Sequence, residues 1–128
     1  MRKCAVLIFA AVLLLPALSW ASELTMEDFV VDSTEDLIDL CTATADNPLA
    51  KEAIHFCEGF CVGAYRFYKA STEGPGSEPW VCFPDPPPSR IAVINEFVNW
   101  AKANPKYMKD AAVETLFRFL IEKYPCKK

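Results

Sequence analysis

Residues 55–65 read HFCEGFCVGAY and place two cysteines, two glycines and the chain's single histidine in one apolar run. Cys57 and Cys61 are one helical turn apart, so a helix would bring both thiols to one face. Three chemistries could use such a pair. A thiol oxidoreductase needs a Cys-x-x-Cys whose first thiol sits at a helix N-terminus, where the dipole lowers its pKa; here the spacing is longer and the pair lies inside the run. A zinc site needs paired ligand clusters, and His55 beside two cysteines does not form them. A hydrolase needs a nucleophile with a base beside it, which one histidine and no glycine-flanked serine do not supply. No catalytic, cofactor or metal role is therefore expected. The glycines point elsewhere. Gly59 and Gly63 would each weaken a helix interior by about 1 kcal/mol relative to alanine, a cost that suggests close approach of a neighbouring backbone. The stretch reads as a packing ridge with a disulfide anchor, flanked by Phe60 and Tyr65.

The elements that must carry this ridge follow from start signals and periodicity. Ser33-Thr34-Glu35-Asp36 has the form of a capping box, followed by Leu37, Ile38 and Leu40, and predicts a helix over 34–44. Asn47-Pro48 is a second start signal. It predicts a helix over 48–70 whose apolar face is Leu49, Ala53, Phe56, Cys57, Phe60, Ala64, Phe67 and Tyr68. From 71 to 88 the composition turns to Gly, Pro, Ser and acid, ending in Pro86-Pro87-Pro88, which cannot lie inside a helix. A third helix is predicted over 89–103, with Ile91, Ile94, Phe97, Val98 and Ala101 inward. Asn104-Pro105 repeats the start device and predicts a fourth helix to Lys123, with Ala112, Leu116, Phe117 and Leu120 inward. No strand pattern survives, so the expected fold class is all-α, a small four-helix assembly stapled by disulfides.

The first residues bear on the compartment. Arg2 and Lys3 precede an apolar run from Cys4 to Leu18, and Ser19-Trp20-Ala21 offers small residues for cleavage, so residues 1–21 are expected to be a signal peptide and residues 22–128 one domain. The apolar run is short for a membrane span, which needs roughly 20 residues. Cleavage removes Arg2, Lys3 and Cys4 and takes the formal charge from −4 to −6. Acidity spread along the chain argues against nucleic acid and anionic lipid, whose phosphates need clustered Lys and Arg. The basic group Lys123, Lys127 and Lys128 reads as a solvated terminus. Five cysteines remain, one of them necessarily unpaired in a monomer, and their spacing leaves the pairing open.

The order Leu40-Cys41, Cys57-x-Gly59-Phe60-x-x-Gly63, Cys82-Phe83-Pro84, Asn104-Pro105 and Tyr124-Pro125-Cys126 resembles the Tai family, the immunity proteins of type VI secretion amidase effectors, also called resistance-associated proteins. The likeness covers about residues 37–126. It implies a small exported α-helical protein, not an enzyme, that binds a peptidoglycan amidase toxin in the periplasm and blocks its active site. Two features depart from the family: Cys61 stands where an aliphatic residue is usual, and the loop around Cys82 is unusually rich in proline. The resemblance also implies staples among Cys41, Cys57, Cys82 and Cys126, paired Cys41 to Cys57 and Cys82 to Cys126 in an up-down bundle, with Cys61 free. If the first helix were not antiparallel to the second, Cys61 or another partner would enter.

An inhibitor of this kind needs a rigid element that fills a cleft, and the loop over 71–88 suits it because prior ordering lowers the entropy lost on binding. Trp80 and Phe83 are its expected anchors, with Glu73 and Glu78 acting on association rate. A homodimer is compatible with this reading. The alternative is a periplasmic stress or acid chaperone-like helical protein, for which the acidic side chains would supply the trigger.

Overall fold

The computed structural model describes residues 23–127. The expected signal peptide lies outside the described residues, as does Lys128. Four helices make the domain: α1 over Thr34–Cys41, α2 over Ala50–Thr72, α3 over Arg90–Ala103 and α4 over Ala112–Lys123. Single 3-10 turns occupy Met26–Val30 and Pro105–Tyr107, and an isolated antiparallel bridge joins Val81 to Pro125. The expected all-α, four-helix class with two staples is the one present.

Helix α1 is short but central, and it packs against each of the other three helices. Eight residues do not hold a helix in water, so packing must hold this one. Leu37 and Leu40 are fully buried, and Ser33 caps the start: its hydroxyl accepts the Asp36 N–H at 3.3 Å while the Asp36 carboxylate accepts the Ser33 N–H at 2.8 Å. Two further N–H groups of the first turn find partners far along the chain. Thr34 donates to the Asp110 carbonyl at 2.8 Å and Glu35 to the Met108 carbonyl at 3.0 Å.

Those two bonds account for a correction. The predicted fourth helix, continuous from Pro105, instead makes one 3-10 turn and restarts at Ala112. A continuous helix would commit the carbonyls of residues 108 and 110 to their own i+4 donors, and α1 would lose its acceptors. The Trp100 ring stacks on Tyr107 at 5.6 Å and holds the interrupted turn against α3.

Helix α2 carries a second correction. Its buried positions are Ala53, Cys57, Cys61 and Tyr68, while Phe56 is 38% and Phe67 77% exposed. Each of those phenylalanines precedes a buried residue by one position, about 100° of helical rotation, which turns it to the flank. Gly59 and Gly63 lie on the outer face, and a Cβ built on either would meet nothing within 4 Å among the described residues. The expected glycine seam is therefore absent from this fold. Ile91, expected inward on α3, is 60% exposed in the helix's first turn.

Cys41 at the end of α1 is bonded to Cys57 of α2, with Cα atoms 5.2 Å apart, and Cys82 is bonded to Cys126 at 4.8 Å. Cys61 is buried and free. The pairing implied by the resemblance is the pairing observed.

Candidate functional site

The connection from α2 to α3 is fixed at its middle. Buried Tyr68 presents one hydroxyl to two donors, accepting the Trp80 N–H at 2.6 Å and the Val81 N–H at 2.9 Å. On the other side, Cys82 donates to the Tyr124 carbonyl at 2.8 Å and Cys126 donates to the Trp80 carbonyl at 3.3 Å. The Cys82–Cys126 bond closes the same crossing covalently. Residues 80–82 are thus tied to α2 on one side and to the segment after α4 on the other.

Beneath this crossing the aromatic side chains interlock. Phe83 is half-buried, 5.3 Å from the Tyr65 ring and 4.6 Å from that of Tyr124. It braces the loop from below rather than projecting from it. The Tyr124 hydroxyl donates to the Glu96 carboxylate at 2.6 Å, and burial together with that bond pushes its pKa up to about 12, so it stays a donor at neutral pH.

Above the crossing lies an apolar ridge. The Trp80 ring is 58% exposed and sits 5.9 Å from Tyr68, whose ring lies 5.1 Å from Phe117 of α4. Val113 and Ile121, one helical turn before and after Phe117, extend that face of α4 and are both exposed. Trp80, Val113 and Ile121 are thus exposed apolar side chains on either side of the Tyr68–Phe117 ring pair. Of the two acids expected on the loop, Glu73 pairs with Lys69 at 3.0 Å, and Glu78 is exposed without an ion pair among the described residues.

The sequence showed a long loop carrying Trp80, but not Tyr68 as the residue that latches it nor the exposure of Val113 and Ile121 on α4. A signal for Tyr68 existed: a tyrosine on the inner face of a helix must find a partner for its hydroxyl. No comparable signal separates Val113 and Ile121 from ordinary surface residues.

The sulfur cluster under α1 offers little chemistry. The sulfurs of Cys41, Cys57 and Cys61 lie within 4.8 Å of one another, but two are joined and burial pushes the Cys61 thiol up to about 12, far from a reactive thiolate. His55 is exposed on α2.

Neither a search of curated proteins nor one of solved structures returns a match. A family model for Rap1a immunity proteins matches residues 33–126. That span runs from the Ser33 cap of α1 to Cys126 of the second disulfide and takes in all four helices and the pinned loop. The chain belongs to the Rap1a immunity protein family, a type VI secretion immunity family.

Proposed function

We propose that this protein is the periplasmic antidote to a type VI secretion effector of the peptidoglycan amidase class, and that it inhibits stoichiometrically by seating the Trp80 ridge in the effector's catalytic cleft. Family membership supports the immunity role. The amidase target rests on the resemblance to the Tai family carried by the cysteine, glycine and Asn-Pro motifs. Two disulfides fit an oxidising compartment, as does an N-terminal run of basic and then apolar residues.

The observation that carries the mode of action is the exposed Trp80 on a crossing held by four hydrogen bonds and one disulfide. A large aromatic on an already ordered backbone gives contact area with little entropy left to lose. The formal charge of −6 left by cleavage adds steering toward a basic partner.

Co-expression with exported amidase effectors tests the role. Cells carrying the cognate effector should survive only with this protein, and the purified pair should form a complex in which one equivalent of the protein abolishes peptidoglycan hydrolysis. Failure of every exported amidase of the same genome to bind would contradict the assignment of target class.

A further inference from the structure

A groove of about 350 Å³ opens where α2, α3 and α4 meet beside Pro87 and Pro88. That volume lies within the ~300–1,000 Å³ typical of small-molecule sites. Cys61, Ile94, Leu116 and Leu120 are its buried members, and Tyr65 and Val93 are half-buried. Arg66, Lys69 and Arg90 also line it, and no carboxylate does. Lys69 pairs with Glu73, whereas Arg66 and Arg90 make no ion pair among the described residues. In an acidic chain this is a local inversion of charge. Arg66 and Lys69 are neighbours at i, i+3 on α2, and the packing of α3 beside α2 adds Arg90 to them.

The lining also restricts what can enter. Its walls are mostly helix side chains, with Phe83 and two prolines from the loop; the prolines carry no N–H, and the backbone groups inside α2 and α4 are already paired. A peptide strand laid here would find few partners for its own N–H and C=O groups, and the neutral polar side chains available are one thiol and one phenol. An acyl chain has no such groups to satisfy. We propose that this groove binds a single-chain anionic amphiphile, with the acyl chain along Ile94, Leu116 and Leu120 and the anionic head group at Arg66 and Arg90. The proposal does not depend on the immunity role, although Tyr65 and Phe83, which brace the loop, also line the groove.

The test is displacement of a fluorescent fatty acid from the mature protein by dodecanoate, with lysophosphatidylglycerol as the second anionic source and dodecyl maltoside as the neutral control, all below micelle-forming concentrations. Both anions should compete at one site per chain in the micromolar range, and the one acting at lower concentration identifies the source. The double variant Arg66→Gln/Arg90→Gln should bind both at least about tenfold more weakly, with an unchanged melting curve. Val93→Trp, which fills the groove from α3, should abolish binding; the arginine variant decides the matter if Val93→Trp disturbs the fold. Equal competition by the maltoside, parental affinity in the arginine variant, or binding only at millimolar concentration would overturn the proposal.

Discussion

The phenol oxygen of Tyr68 lies 2.6 Å from the backbone nitrogen of Trp80 and accepts its hydrogen, while the two rings sit 5.9 Å apart. One residue of α2 therefore fixes both the backbone and the side-chain environment of the most prominent aromatic on the loop.

Tyr68→Phe keeps the ring and removes the acceptor. The Val81 N–H is then left buried without a partner, since Val81 is only 5% exposed, and the cost should be about 1–3 kcal/mol. Urea denaturation measures the loss. Tryptophan emission should report a looser Trp80 in the variant even where the protein remains folded.

The outer position of the glycines on α2 reverses what a packing seam would require. With open space around both, Gly59→Ala and Gly63→Ala should each stabilise the fold by up to about 1 kcal/mol, through lower conformational freedom of the unfolded chain and better helix propensity. A lower denaturation midpoint in either variant would show a close neighbour that the fold does not contain.

The two disulfides should differ in stability contribution and in accessibility. In the chain-entropy model, closing the 16-residue separation of Cys41–Cys57 contributes about 3 kcal/mol and the 44-residue separation of Cys82–Cys126 about 4 kcal/mol. Against a total of roughly 5–15 kcal/mol, losing both should unfold the domain. Cys82 is exposed whereas Cys57 is 1% exposed, so mild reductant should open Cys82–Cys126 first, as mass mapping of alkylated peptides would record. Cys61, held as a buried neutral thiol at the floor of the groove, should be alkylated far more slowly in the native protein than after denaturation.

Asp39 gives a pH dependence with a definite sign. Burial, and then the negative charges of Asp28, Glu35 and Asp36, raise its carboxyl above the ordinary 3.8, with Lys102 opposing. The folded state thus holds this proton to higher pH than the unfolded chain does. The contribution of Asp39 is most favourable below 3.8 and declines as pH rises through the window above it, leaving a net penalty at neutral pH. Asp39→Asn should therefore raise the melting temperature at pH 7, with the gain shrinking toward pH 4.

What the sequence made legible was local. The Ser33 box, the proline-rich break after α2 and the four-cysteine pattern lie in short motifs, and each has its counterpart in the fold. What it hid was set at a distance. The interruption before α4 exists because α1 takes the carbonyls of Met108 and Asp110, a demand arising more than seventy residues earlier. Phe67 and the glycines were misplaced because a run apolar on most sides leaves the centre of the buried face of α2 undefined until α1, α3 and α4 pack on it. Phe83 and Trp80 look equivalent as loop aromatics, yet only the aromatic pair Tyr65 and Tyr124 beneath the loop determines which of them is drawn inward.

The central claim, that the pinned loop presents Trp80 as the anchor of an inhibitory contact, is tested most directly by titrating the cognate amidase with parent protein and with Trp80→Ala under identical conditions. Trp80 is 58% exposed, so its removal should leave the melting curve and both disulfides intact. Loss of a hot-spot aromatic should weaken inhibition by about 2 kcal/mol or more, roughly thirtyfold. Phe83→Ala, by contrast, should act through stability. Inhibition by Trp80→Ala at the parent's concentration would contradict the account and move the contact to another face of the molecule.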